Sequence, residues 1–297
     1  GHQVFKKKGN TALRCKSDSF VVETDTHFPT DYNLLWDSGR KCIDLCVKGD
    51  FTHWRKHKYW SRRLKKLARQ VGRVSSKGGK NKQERLLAAV QAYLDHAKEL
   101  SQKVAQSLAD ADTTDSPPLI AICIELMYYH EMLDKHIDLV ERRLVNGEQI
   151  AHHEKIFSVF QPYVEWINKG KSRPNVEIGK KLFITTDQYD LIVDYQIGDQ
   201  QADNLLTIPI ADRLLNKYEL DSISFDRGFF DSQDKELLSL YIPAVIMPKK
   251  GKKNLQEKEI ESSRQFVKLQ KKHSAIESNI NELEHRGLDR CPDRNER

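Results

Sequence analysis

Three acidic residues, far apart along the chain, have the type and setting that metal-assisted phosphodiester chemistry requires: Asp18, Asp226 and Glu277. Such chemistry asks for little covalent participation by the protein. Two divalent ions about 4 Å apart activate the attacking oxygen and stabilise the leaving one. Mg2+ and Mn2+ are hard ions that take oxygen ligands, so carboxylates must converge on them from separate elements. Asp18 enters the β-forming run Phe20-Val21-Val22. Asp226 ends the alternating stretch Ser222-Ile223-Ser224-Phe225 and precedes Arg227-Gly228. That is the carboxyl end of a strand, where open α/β sheets bind ligands. Glu277 adjoins Ile276, which with Ile280 marks the buried face of a helix and carries the acid to its edge. Residue type and spacing leave other roles open. Asp18 could be an ordinary strand-end acid and Asp226 a turn residue. Glu277 could be one of several solvated acids in a helix that also holds Glu257, Glu259, Glu261, Glu282 and Glu284.

A second chemistry is written in the charge. From His53 to Arg85 there are 13 Lys or Arg and a single acid, Glu84, a balance of +12 in a chain whose total is +6. The remainder therefore carries −6. Concentration of one sign points to a polyanionic partner, where solubility alone would spread it. Arg55, Lys56, Lys58, Arg62, Arg63, Lys65, Lys66 and Arg69 are the candidate DNA contacts, at helical spacing suited to phosphates. Trp54, Tyr59 and Trp60 lie among them, to stack on unpaired bases or to pack the helix inward. Lys249, Lys250, Lys252 and Lys253 surround Gly251 directly after the last apolar strand and are expected near the carboxylates, holding a phosphate, or else form a solvated loop. His27 is a candidate phosphate or water contact, or a structural histidine.

The elements that must position these residues follow from periodicity. Residues 10–30 read as extended. Residues 31–160 read as successive helices: Asn33–Val47 with Asp31 as N-cap, a basic helix over about Phe51–Val74, then Lys82–Ala109 and Leu119–Val145. After residue 175 the period changes. Val176–Thr186 and Leu191–Ile197 form a hairpin across Asp187-Gln188-Tyr189-Asp190. A helix (Ile208–Tyr218), a strand ending at Asp226, a helix (Asp231–Tyr241), a strand (Ala244–Met247) and a long helix (Glu257–His285) complete the order. Without the helical block this is a mixed α/β sheet, a hairpin feeding parallel strands through helical crossovers, in the element order of an RNase H-like domain. The expected division is 1–30 and 161–297 for the sheet domain and 31–160 for an all-α insertion between its first and second strands. Five cysteines without a CxxC pair suit reduced thiols and a cytoplasmic setting. No apolar run reaches the roughly 20 residues of a membrane span, and no secretory signal follows the basic start.

Four ordered blocks carry a resemblance. They are Thr24-Asp25-Thr26-His27-Phe28-Pro29-Thr30-Asp31-Tyr32-Asn33-Leu34-Leu35-Trp36-Asp37, Phe225-Asp226-Arg227-Gly228-Phe229, Pro248-Lys249-Lys250-Gly251-Lys252, and His273-Ser274-Ala275-Ile276-Glu277-Ser278-Asn279-Ile280-Asn281 running into Leu283-Glu284-His285-Arg286-Gly287-Leu288-Asp289-Arg290-Cys291. Together they resemble the catalytic domain of bacterial insertion-sequence transposases of the DDE type, the ISNCY-like group most nearly. The resemblance implies an RNase H-like fold and places the catalytic, metal-binding carboxylates on Asp18, Asp226 and Glu277. Asp18 would bridge two Mg2+ or Mn2+ ions. It implies metal-dependent cleavage at element ends, then attack of the freed 3′-hydroxyl on target DNA. Double-stranded DNA and a second copy of the chain are the implied partners, in a bacterial, nucleoid-associated setting. A nuclease that only hydrolyses and a non-catalytic DNA-binding remnant are the alternatives. Where many related enzymes carry Tyr, Arg and Lys around the glutamate, this chain has Gln270, His273 and Glu284, with His273 and Arg286 left as auxiliary candidates. The resemblance also implies truncation at both ends, with no helix-turn-helix ahead of the first strand.

Overall fold

The computed structural model describes residues 12–112, 116–168 and 175–291. Residues 10 and 11 of the expected extended segment lie outside them. The chain divides into two compact units, one of Gly1–Asp25 with Tyr163–Arg297 and one of Thr26–Pro162.

The first unit is mixed α/β, built on a seven-stranded mixed sheet. Its central strand is β1 (Leu13–Thr24), with β2 (Glu165–Asn168) and β3 (Val176–Thr186) to one side. β3 runs antiparallel to β1. Its far edge is shared: β2 pairs with its first residues and β4 (Ile192–Ile197) with its last, both antiparallel. On the other side of β1 lie β5 (Leu220–Phe225) and then β6 (Ala244–Ile246), both parallel. β7 (Arg290–Cys291) pairs with the end of β1. The β3–β4 turn forms as expected, because Asp187 Oδ1 accepts from the backbone N–H of Tyr189 (2.8 Å) and Leu191 (3.0 Å).

Alternation along the strands separates two faces. Cys15, Phe183, Ile223 and Phe225 join a core closed by Ile210 and Leu214 of α5 (Thr207–Leu215) and Leu238 of α6 (Ser232–Ser239). Phe20 and Ile184 point the other way, onto Ile276 and Ile280 of α9 (Ala275–Leu283). The single long helix expected over 257–285 is instead three: α7 (Leu255–Ser262), α8 (Arg264–His273) and α9. The first break has a physical cause. Ser263 is extended and its hydroxyl caps α8 by accepting from Phe266 N–H, and serine competes well for that position.

The second unit is helical. α1 (Asp31–Lys48), α2 (His57–Ser76), α3 (Lys82–Ala109) and α4 (Pro117–Val140) bury residues three and four apart, among them Leu35, Ile43, Leu64, Val71, Tyr93, Leu100 and Leu133. Gly39 of α1 allows close packing: a Cβ there would stand 2.7 Å from Leu64 and 3.1 Å from Leu100. Three expected boundaries are corrected. Thr30, not Asp31, is the N-cap of α1, and Asp31 pairs with Arg143 at 2.9 Å. The basic helix starts at His57, because Asp50 and His53 take positive φ angles of 51° and 70° that an α-helix does not accommodate. α4 ends at Val140, and Glu141–Val145 continues as a π-helical turn.

Among the described residues no helix is long and apolar enough to cross a membrane. None of the five cysteines forms a disulfide, and burial pushes the Cys15 and Cys46 thiols up to about 12.

Candidate active site

The sheet register brings two of the three acids level. Ser17 pairs with Phe225 in the parallel β1–β5 ladder, so Asp18 and Asp226 are the next residues on neighbouring strands. Asp226 is still extended (φ −70°, ψ 167°), so alternation carries through it and it shares a face with Ser222 and Ser224. That face is the one covered by α8 and α9. Ser224 Oγ lies 3.0 Å from Nδ1 of His273 at the end of α8. Asp18 is paired across β1–β3 with Ile184, which packs against Ile276 and Ile280. Glu277, next after the fully buried Ile276, is exposed at the rim of α9.

Asp18 feels the charge of both other acids. Asp18 is half-buried, and its carboxyl is pushed up to about 7. Burial is the main cause, and the Ser19 backbone N–H, which donates to Oδ1 at 2.7 Å, opposes it. The negative charges of Asp226, Glu277 and Asp203 raise it further. Among the described residues, neither Asp226 nor Glu277 makes a side-chain hydrogen bond or ion pair, and Asp18 has no cationic partner. Three other acids of this unit are neutralised: Asp194 by Arg213 (2.7 Å), Glu165 by Lys180 (2.8 Å) and Asp190 by Lys16 (2.7 Å).

Asp203 is the residue that sequence reasoning missed. It sits in a 3-10 turn, Asp203–Leu206, where no motif marks it. Lys181 holds it at 2.6 Å, and a Cβ on Gly228 would stand 2.8 Å from its Oδ2. Gly228, two residues after Asp226, leaves room for this fourth acid.

Among the described residues no three His, Cys, Asp or Glu side chains are gathered closely enough to hold a metal ion. The donor set nevertheless suits one in kind. It consists of hard oxygens, unneutralised, beside a carboxyl destabilised by burial and like charge. The side chains of Asp226 and Glu277 are both exposed.

The remaining candidates fall into distinct places. His273 adjoins the acids. Burial lowers its pKa while Asp226 opposes the shift, and its Nε2 is buried without a hydrogen-bond partner among the described residues. Arg286 is exposed and paired with Glu282 at 2.6 Å. Lys249 and Lys253 are held by Glu257 (2.6 Å) and Glu261 (2.5 Å) of α7, whereas Lys250 and Lys252 are without an acid partner among the described residues. His27 belongs to the helical unit, where its Nε2 lies 2.6 Å from Asp37, and that bond raises its pKa. Arg55, Lys56, Lys58, Arg62, Arg63, Lys65, Lys66 and Arg69 are all exposed, and none forms an ion pair among the described residues. Of the neighbouring aromatics, Trp54 is buried with its Nε1 donating to Ser107 (2.8 Å), and Trp60 stacks on His96 with ring centroids 4.9 Å apart. Tyr59 alone is well exposed, at 55%.

No protein-family model, curated protein or solved structure matches this chain.

Proposed function

We propose that the chain is the catalytic part of a DDE-type DNA transposase, cutting DNA at the ends of an insertion element and joining those ends to target DNA. The observation that carries this is the unneutralised trio, Asp18, Asp226 and Glu277, delivered to one face of the sheet from a central strand, the end of its neighbour and a covering helix. The strand order supports an RNase H-like domain: on one side of β1 the β3–β4 hairpin, with β3 antiparallel to it, and on the other two parallel strands. The helical unit, lying between β1 and β2 in the chain, is then an insertion in that domain.

In this reading Asp18, Asp226 and Glu277 would be the residues that hold Mg2+ or Mn2+ ions. Such ions, when bound, supply an activated attacking oxygen and charge stabilisation at the leaving one. The chain's own work is to hold and exclude. The hydrophobic cluster of Phe20, Ile184, Ile276 and Ile280 fixes the height of Glu277 over the sheet. Ser224 Oγ, 3.0 Å from Nδ1, fixes the His273 ring, and burial lowers its pKa. The exposed cations of α2 and of the Lys250–Lys252 loop hold phosphates of double-stranded DNA. Bringing two element ends together calls for a second copy of the chain on DNA.

The test is incubation of the protein and Mg2+ with a pre-cleaved element end and a plasmid. Covalent joining of the end to the plasmid, lost in Asp226→Ala, is the expected outcome. Nicking without joining would reduce the function to that of a nuclease. DNA binding with neither product would leave only a DNA-coating protein.

A further inference from the structure

We infer that the helical unit carries a separate binding site for an unpaired nucleotide, in the groove between the start of α1 and the second half of α2. The groove holds about 670 Å3. That is within the range of sites for whole small ligands, roughly 300–1,000 Å3, and more than a lone phosphate needs. One wall is aromatic and polar, with Tyr32, Asn33 and Trp36 of α1. The other is cationic, with Lys65, Arg69 and Arg73 of α2, and among the described residues no acid lines the groove.

The arrangement of these groups matches a nucleotide rather than an anion alone. Lys65, Arg69 and Arg73 recur every fourth residue, so they stand about 6 Å apart in a row along α2. A row of that kind follows a sugar–phosphate backbone. Beside it, the Tyr32 ring lies against α2 because position 72 is glycine; a Cβ there would meet the ring at 3.2 Å. Lys65 Nζ stands 5.5 Å from the centre of the Trp36 ring, so charge and aromatic surface meet at one place. Aromatic faces beside a cationic track bind single strands, because every base offers a face for stacking once it leaves the duplex. In a duplex those faces are already stacked, and only phosphates and base edges remain to be read. The groove therefore selects unpaired nucleotides, of the kind produced where a duplex is opened or ends in an overhang. This site rests on the nucleic-acid reading of the helical unit and is independent of the carboxylates.

Fluorescence anisotropy of the full chain, with a labelled oligothymidine strand and a blunt duplex of equal length, tests the inference. Tyr32→Leu should weaken single-strand binding about tenfold and duplex binding by about twofold or less. Arg73→Ala, a change on the cationic wall, should also weaken the single strand more than the duplex. Arg62→Ala, outside the groove, should weaken both alike. Thermal melts of the variants establish that each is folded. Equal losses on both DNAs, or no loss on either, for Tyr32→Leu and Arg73→Ala would overturn the site. Wild-type binding to duplex but not to single strand would overturn it while sparing the transposase proposal. Binding to neither would sink this site together with the DNA-binding role proposed for α2.

Discussion

Asp18 is a poor carboxylate as it stands: half-buried, and near three other acids that raise its proton affinity. In a structural site a Lys or Arg would relieve that, as Lys180 does for Glu165. Leaving a repulsive trio unpaired is intelligible where a divalent ion is to be held. Loss of one ligand should remove several kcal/mol of charge stabilisation, and each 1.36 kcal/mol is tenfold in rate. Asp226→Ala should therefore slow nicking by about 10^3 or more with duplex affinity nearly unchanged, as plasmid relaxation and gel shift would measure. Unimpaired nicking would remove Asp226 from the site. A second expectation concerns His27, whose pKa is raised chiefly by its hydrogen bond to the buried Asp37. A raised histidine contributes stability that is fully present below its unfolded value near 6.5 and is lost as pH rises through the higher folded value. The Tm difference between wild type and His27→Gln should thus be largest in mild acid and shrink above neutrality. A difference that grows with pH would contradict the ion pair.

The elements carry the charge separation and the packing that the individual residues depend on. α2 buries Leu64, Leu67, Ala68 and Val71 and turns its cations outward, so charge can be removed from it without touching the core. Replacing Arg62, Arg63 and Lys66 by glutamine should weaken duplex binding across sequences. The slope of log affinity against log salt should fall by about 3, close to one for each phosphate no longer neutralised. An unchanged slope would mean that α2 faces away from DNA. Gly39 sets how closely α1 meets α2 and α3. Gly39→Ala should cost about 1–3 kcal/mol in chemical denaturation, because Leu64 and Leu100 must shift to admit the methyl group. A neutral effect would show that the helices can separate freely. Much of this level was legible in the sequence. The hairpin, the strand ending at Asp226 and the four-residue spacing of the long helices each have strong periodicity. The rest had physical reasons to stay hidden. β2 and β7 are four and two residues long, too short to show a period. Ser263 looked like one more polar helical residue until its hydroxyl proved to cap α8. Asp203 gained meaning only from the closeness of Gly228, and the pairing of Lys249 and Lys253 with α7 glutamates depended on a turn that composition does not reveal.

For the molecule as a whole, the net +6 conceals a division of labour. The +12 segment lies entirely in the helical unit, and the unpaired carboxylates lie entirely in the sheet unit. Under the proposed function, the first of these would hold the DNA and the second the metal ions that cut it. The most direct measurement of the central claim is the anomalous scattering of crystals soaked in Mn2+. The account predicts an anomalous peak ligated by Asp18 and Asp226, with Glu277 turned toward it, and loss of that peak in Asp18→Asn. Saturating Mn2+ that binds elsewhere, with the three carboxylates still apart, would contradict it.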